Sequence, residues 1–132
     1  MKTLKSTNRG FTLVEIMVVV AIIALLASIA VPNFLRSRKR SQATQVLEDL
    51  RLIDAASDLY AIENNKSSGV NVVWADLQKY LKTGTRLYSS AGKDILGNNF
   101  AITSVDTPPK VNTQSYTALS DVAPADFWSP YR

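Results

Sequence analysis

The sequence contains no cysteine and no histidine. The first absence excludes disulfides and thiolate metal sites. The second removes the commonest general base and a frequent metal ligand. Ser–Lys or carboxylate chemistry stays open, but no acid, base and nucleophile stand together as a recognisable set. The chain therefore reads as a non-enzyme with no cofactor. Charge is missing from one long stretch: Ile16 to Val31, IMVVVAIIALLASIAV, has no charged side chain, and Ser28 is its one polar residue. The formal net charge is +4. Lys2, Lys5 and Arg9 supply three of those charges ahead of Gly10, so the remainder carries only +1. A nucleic-acid partner loses most of its support on that count.

In front of the apolar run stands Gly10-Phe11-Thr12-Leu13-Val14-Glu15. Phe11 to Val31 is just long enough to cross a bilayer, which takes about 20 residues. Glu15 lies at the lip of that segment. A charge left unpaired in hydrocarbon costs roughly 2.5–3.5 kcal/mol on insertion scales, so this carboxylate needs a partner. A local partner is available, because Thr12 and Glu15 fit a capping box with Thr12 as N-cap, and a helix N-terminus favours an acid in its first turn. Two other readings of the segment stay open. One is an ordinary signal peptide cut after Ser28-Ile29-Ala30, releasing a secreted domain; Glu15 and the positive charges at Arg36 to Arg40 speak against it. The other is a plain membrane anchor. Counting positive charges leaves the orientation undecided, with three before the run and Arg36, Arg38, Lys39 and Arg40 after it.

Pro32 follows the run. It removes one helical hydrogen bond, so a kink or weak point is expected between Ala30 and Phe34, without ending the helix. Beyond it, Val46, Leu47, Leu50, Ile53, Ser57, Tyr60 and Ala61 recur at spacings of three and four, the period of an amphipathic helix. A single helix from Phe11 to about Asn64 would measure roughly 80 Å at 1.5 Å per residue. The basic run from Arg36 to Arg40 has three readings: a solvated face, a contact with phospholipid headgroups, or a partner for Asp49, Asp54 or Asp58 of a neighbouring chain.

Asn64 to Gly69 is a turn-rich break. In the remaining head, Val72 to Lys82 reads as a short helix with Trp74 facing inward, and Ile95 to Phe100 carries a hairpin-type Gly-Asn signal. Ala101 to Val105 and Ser115 to Leu119 read as strands, separated by Pro108-Pro109. The expected fold class is α+β: one long N-terminal helix, and a small C-terminal head with a short helix and an antiparallel β-sheet. A head of this size without a disulfide is a marginal core on its own, so it should pack on the helix stripe, with Phe127, Trp128 and Tyr131 as anchors. Asp121 and Asp126 are too few for a calcium ion, which wants six to eight oxygens, and no metal is expected. The organisation is 1–10 leader, 11–35 apolar helix, 36–64 amphipathic helix and 65–132 head.

The basic leader ending in Gly10, then Phe11, Thr12, Leu13, Val14 and Glu15 and an unbroken apolar helix, resembles the N-terminus of type IV pilins and of the pseudopilins of type II secretion systems. The close match covers residues 1 to about 35; beyond them the resemblance is one of layout. It implies cleavage between Gly10 and Phe11 by a prepilin peptidase, methylation of the new amine of Phe11 by the same enzyme, and pairing of Glu15 with the terminal amine of a neighbouring subunit. It implies a filament subunit that waits as a single-pass protein of the bacterial inner membrane, its head in the periplasm. With other pilin-like subunits and an inner-membrane assembly platform, it then enters a periplasmic or cell-surface filament. Pilins often carry a proline near the place of Pro32. Asp94-x-x-Gly97-Asn98-x-Phe100 looks like the aspartate–glycine–aromatic turn of many pseudopilin heads, which favours a type II secretion-like pseudopilin over a pilus subunit for adhesion, motility or DNA uptake. The chain departs from many major pilins in lacking a C-terminal disulfide.

Overall fold

The computed structural model describes residues 10–132, so Lys2, Lys5 and Arg9 of the expected leader lie outside the described residues. One helix, α1 (Leu13–Glu63), opens the fold. The chain divides into two compact units between Leu35 and Arg36.

In the first unit nearly every side chain of α1 is exposed: Ile16, Val20, Leu25 and Ile29 are all more than half accessible. The sequence is apolar on all sides, and a helix satisfies its own backbone hydrogen bonds, which is what hydrocarbon demands of a chain within it. By length and composition the segment is long and apolar enough to cross a membrane. The helix continues through Pro32, which has no N–H to offer the carbonyl of Ser28 one turn earlier. The Ser28 hydroxyl turns back to donate to the Leu25 carbonyl at 2.6 Å, so the one polar side chain of the run is satisfied internally.

In the second unit α1 becomes one-sided. Ala43, Val46, Leu47, Leu50, Ile53 and Ala56 are buried, while Glu48, Arg51 and Asp58 are exposed. The second unit also holds α2 (Trp74–Leu77), a 3₁₀ turn (Gln78–Tyr80), α3 (Arg86–Ser89), α4 (Thr113–Leu119) and a second 3₁₀ turn (Ala125–Trp128), which share one hydrophobic core with the stripe. Their buried contributions include Leu77, Leu87, Leu119 and Trp128. Each fully buried Leu or Ile stabilises by roughly 1.5–3 kcal/mol. Trp128 is the largest fully buried side chain; its Nε1 donates to the Ala123 carbonyl at 3.2 Å, and Phe127 meets its ring edge-on at 5.1 Å. Tyr131 is also buried, so the aromatic anchors near the C-terminus do pack into the core.

The antiparallel sheet expected of the head does not form among the described residues. Three isolated antiparallel bridges stand in its place: Asn71 with Ser104, Lys93 with Asn99, and Ala101 with Lys110. The segment from Phe100 to Val105 changes partner too often to build a ladder. Phe100 N–H donates to Gly92, Ala101 exchanges bonds with Lys110, and Thr103 and Val105 pair with Val72 and Val70. Ser115 to Leu119, expected as a strand, belongs to α4. Asn112 caps that helix, its side-chain oxygen accepting from Gln114 N–H at 2.8 Å. Ser115 and Leu119 are buried four apart while Thr117 is exposed, a helical period where a strand would have buried all three.

Candidate functional site

Gly10, Phe11 and Thr12 precede the first turn of α1, and all three are exposed. Phe11 is 87% accessible. A Cβ added at Gly10 would meet nothing within 4 Å, so this fold places no steric demand for glycine there.

Thr12 and Glu15 form the expected capping box. The Thr12 N–H and hydroxyl both donate to Glu15 Oε2, at 2.7 and 2.9 Å, and the Glu15 N–H donates to the Thr12 hydroxyl oxygen at 3.2 Å. The arrangement satisfies orphan donors of the first turn. It also fixes the carboxylate at the end of the helix where Phe11 lies, because among the described residues its hydrogen bonds come from Thr12. The acid is held by the backbone N–H that directly follows Phe11.

The second unit holds the remaining charges. Asp49 is 2% exposed on the buried stripe of α1. The Arg86 guanidinium lies on its Oδ2, and Gln45 Nε2 donates to its Oδ1 at 3.2 Å. Burial pushes the Asp49 carboxyl above its ordinary range, with Arg86 pulling the other way. Asp54 accepts from the Tyr131 hydroxyl at 3.1 Å, so two of the three acids considered for a neighbour's basic run have partners in their own chain. Within the basic run, Lys39 pairs with Asp121 at 2.9 Å, and this hydrogen bond holds the Asp121 carboxyl below its ordinary range. Arg36, Arg38 and Arg40 are exposed. Among the described residues no group of three or more Asp, Glu, His or Cys is placed to hold a metal ion.

The Asp94-to-Phe100 turn is built around a buried carboxylate. Asp94 Oδ1 accepts from the N–H groups of Leu96 and Asn98, each at 2.9 Å, while the Ser115 hydroxyl of α4 donates to Oδ2. Asn98 Nδ2 donates to the same hydroxyl oxygen at 2.8 Å. Gly97, at φ +89°, supplies the left-handed residue that the turn requires. Sequence reasoning found the turn but missed its tie to Ser115, and it missed the burial of Asp49. The second had a signal: Asp49 falls three residues after Val46 and four before Ile53, on the apolar stripe itself.

An apolar helix opened by a capping box thus lies directly behind an exposed Gly10–Phe11 bond. Residues 5–31 match the family described as the prokaryotic N-terminal methylation motif. The chain is 41% identical to the type II secretion system core protein G of Klebsiella pneumoniae over 59 residues, which is 45% of this chain and 42% of that protein. It is 36% identical over 86 residues to the type IV major pilin protein PilA of Myxococcus xanthus, covering 64% and 39% of the two chains. With the type IV wide pilus major component PilA4 of Thermus thermophilus the figures are 44% over 57 residues, 43% and 44%. The N-terminal region of this chain is thus similar to that of type IV pilins and type II secretion core proteins G. The chain spans about two fifths of the length of these curated relatives. No solved structure matches it.

Proposed function

We propose that this chain is the precursor of a structural subunit of a pilin-like filament, built in the manner of a type II secretion pseudopilin. In this reading a prepilin peptidase cuts between Gly10 and Phe11 and methylates the Phe11 amine. The apolar part of α1 holds the subunit in the inner membrane with the head in the periplasm, and an assembly platform then packs it against other pilin-like subunits. Glu15 neutralises the Phe11 amine of a neighbour, and Pro32 provides a weak point where the helix can bend in the filament.

The observation that carries the reading is the join at Gly10–Phe11. An exposed peptide bond, a fixed carboxylate four residues beyond it and an all-round apolar helix occur in one stretch of 22 residues from Gly10 to Val31. A signal peptide has no use for the acid, and an anchor has no use for the glycine and phenylalanine. A type IV pilus subunit is the second reading, supported by the similarity to PilA and PilA4.

The test separates the two roles of Glu15. Glu15→Ala removes both the cap and the carboxylate, whereas Thr12→Ala removes the cap and keeps the acid. With peptidase and platform present, both variants should be cut. Sheared-filament yield should stay near normal for Thr12→Ala and fall by about tenfold or more for Glu15→Ala. Equal losses in both would reduce Glu15 to a helix cap.

A further inference from the structure

Where α1 ends, the chain reads Glu63-Asn64-Asn65-Lys66-Ser67. Asn65-Lys66-Ser67 is an Asn-x-Ser acceptor sequence with no proline at the middle position. No other asparagine in the chain has Ser or Thr two residues later. Such a triplet arises by chance often enough that its placement must decide what it is.

The placement is that of an acceptor. Lys66 N–H donates to the Ala61 carbonyl at 2.9 Å and Asn65 N–H to the Ile62 carbonyl at 3.4 Å. This pair of bonds is a Schellman closure with Asn65 as its left-handed residue, at φ +48°. Asparagine is among the few residues with a side chain that adopt this conformation readily. The two neighbouring asparagines then differ sharply. Asn64 Nδ2 is held by the Tyr60 carbonyl and the Tyr80 hydroxyl, both at 3.0 Å. Asn65 makes no side-chain hydrogen bond among the described residues, and every residue from Glu63 to Gly69 is exposed. The closure therefore pins the backbone and leaves the Asn65 carboxamide free, with the Ser67 hydroxyl two residues beyond it.

We propose that Asn65 is an N-glycosylation site. The co-substrate is a lipid-diphosphate-linked oligosaccharide, delivered by a membrane oligosaccharyltransferase. The Asn65 amide nitrogen forms a bond to the anomeric carbon of the sugar, and the bond from that carbon to the diphosphate oxygen breaks. The lipid diphosphate leaves with the electron pair, and the amide proton passes to a carboxylate of the transferase. The proposal rests on the reading above that places the head across the membrane, where such transferases act. A glycan at the end of α1 would add bulk and hydration without disturbing the core, since no buried residue adjoins Asn65 in sequence.

Peptide mass mapping of the full chain, purified from the cells that make it, tests this. The peptide containing Asn65 should carry a hexose-type oligosaccharide mass. Asn65→Gln and Ser67→Ala should each abolish it, while Ser67→Thr keeps it. Unmodified Asn65 overturns the proposal, and so does a mass that persists in Asn65→Gln, which would place the sugar on a hydroxyl. The same map reads the N-terminal peptide independently. A start at Phe11 with bare Asn65 refutes glycosylation alone, whereas an uncut leader contradicts the processing reading whatever Asn65 carries.

Discussion

Arg86, at the start of α3, sets its guanidinium on the carboxylate of Asp49, a residue only 2% exposed on α1 and 37 positions earlier in the sequence. The pair ties a head segment to the buried stripe of the helix. Breaking one side of a buried pair costs about 3–5 kcal/mol, because a charge is left behind without compensation. Arg86 is itself partly exposed, so water would relieve some of that cost. Arg86→Ala should destabilise the second unit by about 2 kcal/mol in chemical denaturation. Asp49→Leu combined with Arg86→Leu should recover most of the loss, and a double variant as unstable as Arg86→Ala would contradict this account.

The same pair gives a pH dependence. Burial raises the Asp49 carboxyl, so the folded state holds the proton more tightly than the unfolded chain does. That contribution favours folding below the ordinary carboxylate range and is lost as pH rises through the raised folded value. Asn at position 49 cannot titrate. The stability of Asp49→Asn relative to the parent should therefore increase between about pH 3 and about pH 7. A difference that stays flat, or that falls, would refute the assignment. Asp121, held low by Lys39, acts in the opposite sense, with its contribution lost on acidification. The pair is solvent-exposed, so that effect should be small.

Asp94 is the hub of the turn from Asp94 to Phe100, accepting from two backbone N–H groups and from Ser115. Asp94→Ala would strand those donors, each worth about 1–3 kcal/mol when buried without a partner. The expected loss is about 3 kcal/mol, against about 1 kcal/mol for Ser115→Ala, which leaves the carboxylate its two backbone donors. Thermal unfolding of both variants checks the order, and a larger loss for Ser115→Ala would reverse the roles assigned here.

Gly92 lies beneath the Trp74 ring at φ +79°, and an added Cβ would come within 3.2–3.3 Å of three ring carbons. Gly92→Ala combines backbone strain with a displaced indole. It should cost about 1–3 kcal/mol and alter tryptophan fluorescence, since Trp74 must shift. An unchanged spectrum would show that the ring does not rest on this glycine.

The parts legible in the sequence are those written in local periodicity. The stripe from Val46 to Ser57, the capping box at Thr12 and Glu15 and the turn at Asp94 to Gly97 all follow from neighbours within a turn or two. What escaped depends on partners far along the chain. Asp49 falls on the apolar stripe, but the cation that meets it, Arg86, comes from 37 residues away, and the anchoring of Asp94 appears only when α4 delivers Ser115 from 21 residues away. Ser115 to Leu119 is too short for its period to separate strand from helix; the Asn112 cap decides it. The sheet was misjudged because single extended segments do not reveal that their partners change at nearly every residue.

The most direct measurement is the N-terminal residue of the protein recovered from membranes, read by sequencing and intact mass. The account predicts a chain that starts at Phe11 and carries one added methyl group. Gly10→Val, which this fold tolerates sterically, should leave the leader in place. A start at Val31 would remove the apolar helix and make the chain a secreted domain. A start at Met1 in cells that process other prepilins would leave a simple anchor, and either result would contradict a filament subunit.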